Sequence, residues 1–192
     1  MIRSFHLADL LTIANGCCGV IAVFHAMMFL ASGAVRQLYV AVLLIPVALI
    51  FDVLDGRVAR WRLTNSPMGR EMDSLADVIS FGVAPAAIAF AVGLSTVVDQ
   101  IILVYFAVCG LSRLARYNIT AEQLAQPSGK VAYFEGTPIP SSIVPLALLV
   151  VAFRSGNLLP VRLLGYPFHL VSLLFALSGS LMISKTLRIP KP

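Results

Sequence analysis

Apolar residues run through this chain in long blocks separated by short polar stretches, and the blocks are too long and uniform for the strands or amphipathic helices of a water-soluble domain. The first block spans approximately Leu10 to Ala31. The second spans about Leu38 to Leu54, with its helix expected to continue through Arg62. A third begins near Met68 and is apolar to about Ala91, and a fourth covers Ile101 to Leu114 and extends into SRLARYN, Ser112 to Asn118. A fifth occupies Ser141 to Phe153, potentially reaching Leu159, and a sixth runs from about Pro167 to Ser184. At roughly 20 residues per crossing, the pattern predicts an all-α polytopic membrane protein, a six-transmembrane-helix bundle in a single membrane domain over residues 1–192. Met1 to Asp9, with Arg3, Phe5, His6 and Leu7, reads as a short amino-terminal interfacial helix.

The breaks are informative too. In TNSPMG, Thr64 to Gly69, the residues Asn65, Ser66 and Pro67 favour a turn and a fresh helix start. VGLSTVVDQ, Val92 to Gln100, marks a loop at the opposite end, and YFEGTPIPSS, Tyr133 to Ser142, predicts a rigid re-entry at the interface. Gly16, Cys17, Cys18 and Gly19 form a small-residue patch suited to close helix contact. Asn15, beside Thr12 in the same block, needs a partner inside a membrane; helix packing and substrate contact are both open for it.

Composition agrees with the pattern: of 192 residues 59% are hydrophobic and 12% charged. The net charge of +5 reads, in such a chain, as interfacial anchoring and affinity for anionic substrates rather than for nucleic acid. If the termini, the acid-bearing turn and the end of the fourth span share one side, that side carries eleven Lys and Arg residues and the other only Arg36, Arg154 and Arg162, which predicts cytoplasmic termini in a multi-pass cell-membrane protein. The first block reads as a retained span rather than a cleaved leader. Cys17, Cys18 and Cys109 lack the spacing of a metal or redox motif and read as packing residues; His6 and His25 are isolated, and Trp61 fits an interface belt.

Against this background the stretch DVLDGRVARWRLTNSPMGREMDSLAD, Asp52 to Asp77, stands apart. On a helix Asp52, Asp55, Gly56, Ala59 and Arg60 fall within roughly 140° of one another, and Gly69, Asp73 and Asp77 recur every four residues on a second. Four carboxylates in one cleft repel unless cations neutralise them, which favours a hard divalent metal, Mg2+ or Mn2+. A structural ion-pair network with Arg57, Arg60, Arg62 and Arg70 is the alternative. Arg113 and Arg116, three residues apart, suit a phosphate or carboxylate, with membrane-facing snorkelling equally open.

The spacing Asp52-x2-Asp55-Gly56-x2-Ala59-Arg60, eight residues, then Gly69-x3-Asp73-x3-Asp77, resembles the complete signature of the CDP-alcohol phosphotransferase family. The resemblance implies a six-helix bundle, commonly a homodimer, with a cleft near the cytoplasmic face. It implies that Asp52, Asp55, Asp73 and Asp77 hold two divalent ions, that Asp77 acts as general base, and that Asp52, Gly56, Ala59, Arg60 and Gly69 accommodate the cytidine nucleotide. SRLARYN and YFEGTPIPSS resemble segments of the serine-using subgroup, the phosphatidylserine synthases, implying CDP-diacylglycerol as donor, L-serine as acceptor, and phosphatidylserine and CMP as products. Arg113, Arg116, Asn118 and Lys130 are the candidates for acceptor or phosphate. The opening LADLLTIANGCCG departs from the subgroup, which has a proline-asparagine pair where Ala8 and Asp9 stand. Other acceptors, glycerol 3-phosphate or inositol 1-phosphate, and an ether-lipid donor preserve the same chemistry; a membrane transporter or scaffold is the reading from another class.

Overall fold

The computed structural model describes residues 7–62, 67–124, 133–163, 165–184, 186 and 188–190. Its main elements are seven helices: α1 (Leu7–Ser32), α2 (Val35–Arg62), α3 (Pro67–Asp77), α4 (Ala84–Val92), α5 (Val97–Leu124), α6 (Ile143–Arg154) and α7 (Ser172–Ile183). A π-helical segment, Val78–Val83, joins α3 to α4, and a 3-10 turn, Ile139–Ser142, leads into α6. Four helical stretches are long and apolar enough to cross a membrane: Ala8–Ser32, Val35–Val58, Met68–Val92 and Val97–Ile119. The chain is therefore an all-α, multi-pass membrane protein with about four spanning helices among its described residues. Ile139–Arg154 and Ser172–Ile183 are apolar but shorter; at 1.5 Å per residue the 12 residues of α7 extend about 18 Å, short of a bilayer core of about 30 Å.

α1 and α2 form an antiparallel hairpin. Gly33 ends α1 at φ 66°, and its N–H donates to the Phe29 carbonyl at 2.8 Å, the left-handed termination that glycine permits without a Cβ penalty. Ala22, Ala26, Ala41 and Ala48 are wholly or almost wholly buried beside Leu38 and Ile45, so small side chains let the two backbones approach. On the other side α5 packs on α7. A Cβ on Gly179 would lie 3.1 Å from the Phe106 Cα and 3.3 Å from the Cys109 Cβ. The rings of Phe106 and Phe175 meet edge to face, 5.3 Å between centroids. Cys18 and Cys109 are buried, in keeping with packing roles, whereas Cys17 is exposed on the outer face of α1.

Three sequence expectations are revised. Pro167 does not begin the last helix: it lies in β3 (Tyr166–His169), which pairs antiparallel with β2 (Pro160–Leu163), and α7 starts only at Ser172. Gly156, at φ 68°, turns the chain just past the end of α6, which stops at Arg154 and does not reach Leu159. Leu7 to Asp9 are continuous with α1 rather than part of a separate interfacial helix, residues 1–6 of which lie outside the described residues. The re-entry segment does form: β1 (Tyr133–Glu135) pairs with β4 (Arg188–Pro190), and Thr137 N–H donates to the Leu181 carbonyl at 3.2 Å. Between them Gly136 sits at φ 75°, its α-carbon against the backbone of Leu181 and Met182.

At the end of the bundle away from the acid stretch, Thr96 and Asp99 cap α5 reciprocally: Thr96 Oγ1 donates to Asp99 Oδ2 at 2.8 Å and Asp99 N–H to Thr96 Oγ1 at 3.3 Å. Asp99 also accepts the His169 backbone N–H at 3.0 Å and pairs with the His169 ring at 2.7 Å, tying β3 to α5. The one acid of the predicted opposite loop is thus a fully buried structural anchor.

Candidate active site

The C-terminal part of α2, the C-terminal half of α3 and the N-terminal third of α1 converge at one end of the bundle. Asp52 and Asp55 come from α2, Asp73 and Asp77 from α3, each pair one helical turn apart. One carboxylate oxygen from each of Asp52, Asp55 and Asp73 can be chosen so that all three lie within 4.8 Å of one another. Asp73 Oδ1 is buried and has no hydrogen-bond partner. Three convergent hard oxygen donors, one of them buried and without a hydrogen-bond partner among the described residues, are a chemically fitting ligand set for Mg2+ or Mn2+, and leaving three carboxylates unneutralised would be costly.

Asp77 belongs to the same acidic group without joining that triplet. It is 7% exposed and within electrostatic range of Asp52, Asp55 and Asp73. Its Oδ1 accepts a 3.1 Å hydrogen bond from Asn15 Nδ2 on α1. One turn earlier on α1, Thr12 Oγ1 donates to Asp55 Oδ2 at 2.7 Å. The polar pair Thr12 and Asn15, whose sequence reading left packing and substrate contact open, therefore contacts the acids directly. Its signal was three-residue spacing on one face of an otherwise apolar helix.

α1 reaches α3 and the π-helical segment because its facing residues lack bulk. A Cβ on Gly16 would meet the Ala76 Cβ at 3.5 Å, an ordinary contact, while one on Gly19 would fall 2.8 Å from the Ser80 Cα and 2.9 Å from its N. Ser80 Oγ donates to the Asn15 carbonyl at 2.8 Å, fastening the two backbones beside the site. Gly56 behaves differently: among the described residues nothing beyond its own helix backbone and chain neighbours lies within 4 Å of a Cβ built there.

Ala59 and Arg60 lie within α2, but their side chains are outside the described residues, as is Lys130 altogether. Gly69 lies in the first turn of α3, half-buried. Arg113 is brought to the acids: it is within electrostatic range of Asp77, its Nε is buried without a hydrogen-bond partner, and its guanidinium lies 5.8 Å from the Tyr117 ring centroid. Arg116 is engaged elsewhere, its Nη2 donating to the Ile183 carbonyl at 3.2 Å, where a cation suits the C-terminus of α7. Asn118 binds α3, donating to Ser74 Oγ at 3.0 Å and to the Glu71 carboxylate at 3.4 Å.

Residues 5–180 match the model of the CDP-alcohol phosphatidyltransferase family. The chain is 43% identical over 201 residues to the CDP-diacylglycerol–serine O-phosphatidyltransferase of Saccharomyces cerevisiae, covering 100% of this chain and 73% of that protein. The Bacillus subtilis protein of the same name is 33% identical over 169 residues, 87% of each chain. That of Mycobacterium leprae is 37% identical over 154 residues, 78% of this chain and 49% of its own length. The chain thus spans about half of the mycobacterial relative and most of the other two.

Proposed function

The chain belongs to the CDP-alcohol phosphatidyltransferase family, and we propose that it transfers the phosphatidyl group of CDP-diacylglycerol to the hydroxyl of L-serine, giving phosphatidylserine and CMP. The observation that carries this reading is the convergence of Asp52, Asp55 and Asp73 oxygens within 4.8 Å, beside a largely buried Asp77. The three curated relatives described above, which bear the name of that serine-using activity, support the choice of acceptor.

Asp52, Asp55 and Asp73 would hold the divalent ions, Mg2+ or Mn2+ and two in number; Asp77, outside that triplet, is left to act as the base. Bound there, the ions would neutralise the diphosphate and the charge growing on the departing CMP. Asp77 accepts the proton of the serine hydroxyl as its oxygen bonds to the phosphorus carrying diacylglycerol; the bond from that phosphorus to the CMP oxygen breaks. The free hydroxyl is too weakly acidic to react unaided near neutrality, so the base is needed. The space over Gly56 would receive the cytidine nucleotide, and Asp52, Ala59, Arg60 and Gly69 are the residues proposed to accommodate it.

Arg113, with a donor to spare beside Asp77, takes the serine carboxylate or the lipid phosphate. Arg116 and Asn118 are weaker candidates because each already serves a helix contact; Lys130 would contact the lipid phosphate. In this reading residues 1–192 form one membrane domain in which α6 and α7 complete a six-helix bundle, two copies pair as a homodimer, and the termini and acids face the cytoplasm.

The purified protein, given CDP-diacylglycerol and Mn2+, is expected to release CMP with serine and not with glycerol 3-phosphate or inositol 1-phosphate. CMP release with either of the latter and none with serine would overturn the acceptor assignment while leaving the reaction class standing.

A further inference from the structure

We propose that Asn15 is a positioning residue of the transfer site: its side-chain amide donates to one oxygen of Asp77 and so orients the other for the acceptor hydroxyl. The inference rests on the role of Asp77 proposed above, but not on which alcohol is used.

Asn15 is completely buried within the N-terminal third of a membrane-spanning helix, where an amide is expensive to keep unless its bonds serve something. Its Nδ2 reaches Asp77 Oδ1 at 3.1 Å, whereas its own Oδ1 is buried with no hydrogen-bond partner. Helix packing alone would be better served by an apolar side chain such as leucine, which has the same branched outline and leaves no orphaned oxygen. The surroundings keep the amide in place: Ser80 Oγ holds the Asn15 carbonyl at 2.8 Å, and Gly16 and Gly19 let α1 lie against Ala76 and Ser80.

A carboxylate on a single χ2 torsion swings freely. A donor fixed on a neighbouring helix selects one orientation, and such pre-alignment lowers the barrier without adding to substrate affinity. Thr12 does the corresponding work for Asp55, donating at 2.7 Å. α1 therefore steadies one acid from α2 and one from α3, and the two bonds have separable consequences: Thr12 acts on a candidate metal ligand, Asn15 on the candidate base.

The test compares Asn15→Leu, Asn15→Ala and Thr12→Val in nanodiscs, with CMP release at saturating and limiting CDP-diacylglycerol, and Mn2+ binding measured by electron paramagnetic resonance without turnover. Losing a hydrogen bond to a charged group predicts that both Asn15 variants lower kcat by about 10- to 100-fold. KM for CDP-diacylglycerol and Mn2+ affinity should stay within about twofold of the parent. Thr12→Val should instead weaken Mn2+ binding, by about tenfold or more. Asn15→Ala guards against failure of the leucine variant to insert. The inference is overturned if both Asn15 variants keep the parent kcat, or if kcat, KM, Mn2+ affinity and melting temperature decline together, as a packing role requires. A parent that uses another alcohol overturns only the serine reading, and the comparison is then made on that alcohol. A parent that transfers to no alcohol overturns both.

Discussion

Gly19→Ala tests how closely helix packing and chemistry are joined. The added Cβ would fall 2.8 Å from the Ser80 Cα and 2.9 Å from the Ser80 N, backbone atoms that no rotamer change can move. Against a carbon–carbon contact of about 3.5 Å, α1 must retreat from the π-helical segment by about 0.7 Å. If Asn15 moves with its helix, its 3.1 Å bond to Asp77 stretches to about 3.8 Å, beyond hydrogen-bond range. Loss of that bond predicts a fall in kcat of about 10- to 100-fold. Gly16→Ala is the control, because its Cβ meets Ala76 at an ordinary 3.5 Å and alanine gains about 1 kcal/mol of helix propensity over glycine. CMP release by the two purified variants, with melting temperatures measured alongside, reads the difference. Parent-like turnover in Gly19→Ala, or equal damage from Gly16→Ala, would refute the argument that this contact places Asn15.

Other substitutions separate the parts of the molecule. Asp73→Asn, which removes a member of the convergent carboxylate triplet, should weaken Mn2+ binding by more than the about 10- to 100-fold typical of losing an outer-sphere partner, as read by titration without substrate. Asp99→Asn weakens the bonds to His169 and Thr96 at the far end of α5, so it should destabilise the protein by about 1–3 kcal/mol while KM for CDP-diacylglycerol holds, as thermal melts and initial rates together would show. Gly136→Ala combines a left-handed backbone with a Cβ directed into the backbone of Leu181 and Met182; it should cost more than the about 1–2 kcal/mol of the left-handed conformation alone, measured as a lower melting temperature.

The acid site was legible in the sequence because its order is local. Separations of three and four residues within each of two helices close in sequence fix which carboxylates share a face, and the structure brings Asp52, Asp55 and Asp73 together accordingly. The first four spans were equally readable from their length. What joins α1 to the acids was not, since the bonds Thr12–Asp55 and Asn15–Asp77 link residues 43 and 62 positions apart. The sequence could say only that Asn15 needed a partner. Nor does periodicity reveal the π-helical segment over Val78–Val83, whose apolar residues fit an ordinary helix equally well. The apolar run after Pro160 misled because strands and helices of such composition look alike over short windows. Pro160–Leu163 and Tyr166–His169 instead pair as a hairpin, with Gly165 at positive φ between them, and leave α7 only 12 residues.

The central claim is that the acids between Asp52 and Asp77 carry phosphatidyl transfer to serine. Its most direct test is incorporation of labelled serine into lipid, with equimolar CMP release, by the purified parent and by Asp77→Asn at matched membrane insertion and Mn2+ binding. The account predicts labelled phosphatidylserine from the parent and a rate in the variant reduced by at least the about 100-fold that a general base contributes. Serine incorporation by Asp77→Asn at the parent's rate would contradict it.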